Sequence, residues 1–256
     1  MSNPITIPAW QRPHWQPSDE EILLQFYVFG QFDAVRAPCA VYGSDGLPEG
    51  IELTSHHHNA LRQWEGYPLK GSLGSMFKED APQAWQRAFD APQVLVVRGK
   101  LKDNADTGYL RDTFGVLAGL LDIGGVAILD PQTLSLLDAD GWRRHYLIRD
   151  GAPIRNHLLI LRDGEETAGY SHVRTRGMRK FGRPDISIEY VPDKDVDRAG
   201  MLCEQLVELE SLGAHFTDGQ KLDVEGGHGD LIAQVGGSLE DPLFNNTHVA
   251  FRWADD

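Results

Sequence analysis

Apolar residues recur along this chain in two rhythms, and each predicts a different element. Leu110, Phe114, Leu117 and Leu121 fall at i, i+4, i+7 and i+11, one face of a helix that Gly124 and Gly125 would end. A β-branched run, VLVVRGKL from Val94, precedes it and VAILD follows. Together they predict a strand-helix-strand unit over about 94–130, with parallel strands and a right-handed crossover. Leu202, Leu206 and Leu209 mark a second helix over 195–212, stopped by Gly213. Alternation dominates elsewhere: DISIEYV places Ile186, Ile188 and Tyr190 on one face of a strand.

HLLILRDGEETAGYSHVRTRG predicts a hairpin, with strands at 157–162 and 169–175 and a turn at Asp163-Gly164. Ser18 and Glu21 spell a helix capping box, yet the next run, ILLQFYVFG, is aromatic and branched, so a strand ending at Gly30 is favoured. A short strand is expected over Pro38 to Tyr42. Met76, Phe77, Trp85 and Phe89 predict helical segments that end before Pro92. GWRRHYLIRDGAPIRN reads as a basic connection, and QKLDVEG and NNTHVAFRWAD as closing strands. In the polar, proline-rich arm before residue 18, Trp10 and Trp15 are expected to pack back on the domain. The pattern as a whole is α+β: a mixed sheet containing the strand-helix-strand unit, with helices packed on one face. Residues 1–92 form an N-terminal α+β region and 93–256 a C-terminal α+β domain.

Composition supports a real core, since 256 residues with 41% hydrophobic content and 24% charged residues match ordinary globular proteins. No apolar run approaches the roughly 18 residues of a membrane span, and the first residues lack the basic start and apolar core of a signal peptide. The expectation is a cytoplasmic protein without a membrane partner. Cys39 and Cys203 stand alone in no ligand-like spacing and read as small buried hydrophobes.

Charge changes the picture most. The chain carries a formal −14, but residues 143–183 hold ten Lys/Arg against four Asp/Glu, while 184–256 hold four against sixteen. So acidic a total disfavours nucleic acid and suits a basic protein partner. Five cations, Arg174, Arg176, Arg179, Lys180 and Arg183, fall within ten residues around two glycines and a Pro-Asp turn. Three readings stay open. The glycines and Phe181 could fix a turn whose arginines are a solvated face. His172, Arg174, Arg176, Arg179 and Arg183 could form an anion site of forked donors, with His172 as a neutral base. Or the basic block could neutralise the acidic C-terminal third. Tyr146, Tyr170 and Phe181 would be the stacking residues were the block to bind nucleic acid.

Thr175, Gly177, Phe181, Gly182, Pro184 and Asp185 spell T-x-G-x-x-x-F-G-x-P-D. This resembles the motif of a widespread family of bacterial domains that carries no assigned activity, and the likeness extends over roughly 93–192. The resemblance implies an α+β domain and transfers no catalytic residue.

Other chemistry is sparse. His56 and His58 could supply two metal ligands with His228 as a distant third, but three adjacent histidines fit a polar loop better, so neither metal nor cofactor is expected. No G-x-S-x-G, G-x-x-x-x-G-K-[ST] or helix-opening G-x-G-x-x-G occurs. The expectation is therefore a non-enzymatic binding protein, of the immunity or inhibitor type, for a basic partner. Glu204, Glu208 and Glu210 on the exposed side of the C-terminal helix, with Asp218, Asp223 and Glu225, would form its surface. The alternative is an anion-binding sensor or enzyme using Arg174, Arg176 and Arg179.

Overall fold

The computed structural model describes residues 10–33, 38–148, 151–224 and 229–253. They form an α+β protein with two sheets, and the chain separates into two compact units. The first runs over 1–11, 23–101 and 106–152, the second over 12–22, 102–105 and 153–256. No described helix is long and apolar enough to cross a membrane.

In the first unit the elements are β1 (Ile22–Gly30), β2 (Ile51–His57), α1 (His58–Leu61), α2 (Gly71–Asp80), α3 (Pro82–Asp90), β3 (Gln93–Leu101), α4 (Gly108–Asp122), β4 (Gly125–Asp130), β5 (Ser135–Asp138) and α5 (Ala139–Tyr146). The sheet order is β2-β3-β1-β4-β5. The strand-helix-strand unit is present as β3-α4-β4, with β1 lying between its two strands. Nearly every residue of β1 is buried, so both faces of the sheet need cover. Tyr27 and Phe29 pack with Phe77, Ala84 and Ala88 of α2 and α3. Phe26, pointing the other way, meets Phe114 of α4 and Trp142 of α5 edge-on, each at 5.9 Å. Helices thus lie on both faces of this sheet.

Two local expectations are corrected here. Cys39–Tyr42 is a 3-10 turn, closed by Gly43 at φ 70°. GWRRHY is helical: Asp138 caps α5 by accepting from the Gly141 amide at 2.8 Å. The Ser18 hydroxyl accepts from the Glu20 amide (3.0 Å), a turn leading into a strand and no helix.

The second unit contains β6 (Leu159–Gly164), β7 (Tyr170–Arg176), β8 (Asp185–Pro192), α6 (Val196–Ser211), β9 (Lys221–Asp223), β10 (Asp230–Ser238) and β11 (Asn246–Trp253). Their sheet, β6-β7-β8-β11-β10-β9, is mixed: β8 and β11 run parallel and the other pairings are antiparallel. Val173, Ile186, Ile188 and Phe251 are buried on one face, and Cys203, Leu206 and Val207 of α6 are buried facing β7 and β8. The arrangement of helices on one face therefore holds for this sheet. β8 bulges, placing Glu189 and Tyr190 opposite His172. Tyr190 takes φ 54° and is exposed, so it leaves the face it was expected to share with Ile186 and Ile188.

Candidate functional site

The motif stretch is the turn between β7 and β8, closed by its own residues. Thr175 Oγ1 donates to Asp185 Oδ1 (3.1 Å) and accepts from the Ile186 amide (2.9 Å). The Met178 amide donates to the same carboxyl oxygen (3.3 Å), and Asn246 Nδ2 to the other (2.9 Å). Burial raises the pKa of Asp185 against the pull of these donors. Gly177 sits at φ 132°, where a Cβ would lie 2.3 Å from the His157 carbonyl oxygen. Phe181 is buried, edge-on to His157 at 5.3 Å.

Arg183 is fully buried and points into the unit. Its guanidinium meets Asp103 at 3.0 Å and donates to the carbonyls of Gln16, Gly182, Gly213 and Ala214. Arg12 approaches the same Asp103 oxygen at 2.8 Å and donates to the carbonyls of Asn104, Phe181, Glu210 and Ser211. The other Asp103 oxygen accepts from Trp15 Nε1 (3.0 Å) and the Ser18 amide (3.1 Å). Two guanidiniums against one carboxylate leave a positive charge that the carbonyls share, the condition under which a buried ion group is tolerated. Glu210, expected on the exposed side of α6, is wholly buried beside this group, and its carboxyl makes no hydrogen bond. Burial first, then Asp185, raises its pKa well above 4.5, which favours its protonated form.

No single forked anion site gathers the motif arginines. Arg174 is buried, bonded to Asp163 (2.6 Å) and to the Leu243 carbonyl (2.6 Å). Arg179 donates to the Asn245 carbonyl (3.1 Å), and Arg176 is half-buried at the end of β7. His172 and Arg174 do come together, both beside the Phe244 ring, at 6.3 and 5.6 Å. The other carboxylates scatter. Glu204 is 3.6 Å from Arg155, Glu208 is exposed on α6, Asp218 accepts from the Val235 amide, and Asp223 lies exposed on β9. Glu225 lies outside the described residues.

What the motif leaves at the surface is a cleft of about 250 Å³. Asp19, Glu20 and Glu21 line it together with Arg179, Gly182, Arg183, Leu239, Asn246 and Thr247. Glu20 accepts from Thr247 Oγ1 at 2.8 Å, and burial raises its pKa, the Thr247 bond opposing. The sequence signal was available in the D-E-E run, which was read for helix capping instead. No family model, curated protein or solved structure matches the chain. The site therefore has to be read from its own chemistry: carboxylates facing a cleft whose nearest arginines already hold protein acceptors.

The histidine run separates. His56 and His57 are exposed on β2, whereas His58 is buried, bonded to the Ala91 carbonyl (2.5 Å) and the Tyr67 hydroxyl, with its pKa lowered by burial. His228 lies outside the described residues, among which no group of three metal-ligating side chains occurs.

Proposed function

We propose that this protein binds a basic partner, in the manner of an immunity or inhibitor protein, by receiving a cationic side chain in the cleft at Asp19, Glu20 and Glu21. The observation that carries the reading is the division of charge around the motif. Arg183 is committed to Asp103 and four carbonyls and Arg179 to Asn245, whereas Asp19 is exposed and lines the cleft beside Glu20 and Glu21. A guanidinium or ammonium entering there would meet the carboxyl groups of Asp19, Glu20 and Glu21 and favour the ionised form of Glu20. The acidic total of the chain supports fast association with a basic protein through long-range attraction. The likeness of Thr175 to Asp185 to the bacterial motif belongs to the same proposal, the shared residues being those that build the turn.

The test is the association rate of a hexa-arginine peptide and a panel of small basic proteins, followed from 20 to 300 mM salt. Asp19→Lys/Glu21→Lys should slow association by about tenfold at low salt and flatten the salt dependence. Glu204→Lys/Glu208→Lys, on α6, should have a smaller effect. Equal effects of the two pairs, or none, would refute the cleft as the site.

A further inference from the structure

The face of the second sheet away from α6 carries a buried cluster of polar and aromatic side chains. Register aligns Arg174 of β7 with Ser187 of β8 and Ala250 of β11, and His248 with Asp185. The loop Leu239–Asn245 folds over this face and inserts Phe244, only 3% exposed, onto it. The Phe244 ring stacks on the His248 imidazole at 4.2 Å with 12° between planes, and the Arg174 guanidinium lies 5.6 Å from its centre. The residue before it, Leu243, gives its carbonyl to Arg174.

Three polar atoms in this packed region, Ser187 Oγ, His172 Nε2 and His248 Nδ1, are buried without a hydrogen bond, although His248 Nδ1 lies 3.9 Å from an Asp241 carboxylate oxygen. Ser187 is fully buried. Buried polar groups in native proteins nearly always find partners, so three together on one face need a reason. Gly237, at φ 76°, keeps room for the His248 ring: a Cβ there would fall within 2.4 Å of Nδ1.

We propose that this slot is a binding site for a small aromatic carboxylate, for which Phe244 and the Leu243 carbonyl stand in while the loop is closed. The ligand's ring replaces Phe244 on His248, and its acid group replaces the neutral carbonyl on Arg174. Arg174 gains from the exchange, because a carboxylate is a stronger acceptor than a carbonyl and matches the guanidinium fork. Ser187 Oγ and His172 Nε2 gain partners they otherwise lack. Asp163 keeps its bond to Arg174 Nε and, being half-exposed, can lean toward water to ease repulsion between the two carboxylates. The burial that lowers the pKa of both imidazoles keeps them uncharged at neutral pH, when a ring can stack without a cost in desolvating an ion.

Binding of 3-phenylpropanoate to the full chain is measured by calorimetry, against propanoate and 3-phenylpropanamide, in the parent and in Phe244→Ala. The parent should bind the aromatic acid, and Phe244→Ala should bind it at least about tenfold more tightly, since the internal competitor is gone. Arg174→Gln should abolish binding, and Arg174→Lys, which keeps a charge for Asp163, should weaken it. Binding by Phe244→Ala alone, or equal binding of the amide, would mark an engineered cavity and overturn the proposal. So would an affinity unmoved by either change at Arg174, or no binding in any variant.

Discussion

Asp103 offers the sharpest test of the reasoning about buried charge. Its carboxylate holds Arg12 at 2.8 Å and Arg183 at 3.0 Å, with all three side chains no more than 2% exposed. It also accepts from Trp15 and Ser18. Asp103→Ala leaves two guanidiniums buried without the carboxylate that both meet. Removing one partner of a buried pair costs about 3–5 kcal/mol, and two hydrogen bonds to a charged acceptor add about 1.5–3 kcal/mol each. The sum, about 6–11 kcal/mol, is comparable with the whole stability of a typical domain. With a urea slope of about 2 kcal/mol per molar, the midpoint should fall by more than about 2 M. Urea unfolding followed by tryptophan fluorescence and by far-ultraviolet dichroism reads this directly, and the two probes together reveal whether the units unfold separately. Asp103→Asn, which keeps the shape and an acceptor, should fall between. A midpoint for Asp103→Ala within about 0.5 M of the parent at unchanged slope would refute the account.

Gly177→Ala should cost about 2 kcal/mol or more, because φ 132° is closed to alanine and its Cβ would strike the His157 carbonyl. Gly219→Ala, at φ 74° with open space around it, should cost only about 1 kcal/mol, and thermal melts of the pair separate strain from collision. Glu210 gives a pH signature. Its folded pKa is raised, so the native state keeps a proton that the unfolded chain releases above about 4.5, and stability falls as pH rises through that window. Glu210→Gln should remove this slope in melts run from pH 4 to 8; an unchanged slope would mean that Glu210 is ionised in the fold.

The helices and strands with strong periodicity were legible before any coordinates. The runs at Val94, Leu110 and Leu202 predicted elements that appear as β3, α4 and α6. β10 was not, because its branched residues, Ile232 and Val235, are few and Gly236-Gly237 interrupts the run, and it forms through its eight-residue pairing with β11. α5 was masked by its arginines, which read as a charged connection, although Trp142 and Tyr146 at i and i+4 bury its inner face. At the candidate site, composition identified the charge but not its direction. Glu210 falls at i+7 from Cys203, on the face that also buries Leu206 and Val207, whereas Glu208, two residues earlier, points the opposite way; the helical period carried that distinction. Arg183 reads like its neighbours, and its partner, Asp103, stands 80 residues earlier, beyond any local pattern.

That distance has a kinetic consequence. The network at Asp103 joins residues near 12, 103, 183 and 210, so the second unit closes with pairings that span most of the chain. Loops of that length are slow to close, and the ribosome releases the early segments long before their partners exist. Residues 12–22 and 102–105 must therefore wait, unsatisfied, until α6 and β11 have been made. Refolding of this unit should be its slow phase, and a fragment beginning at residue 93 would retain Arg183 and Asp103 but lose Arg12, Trp15 and Ser18, three of the four groups that hold that carboxylate in place.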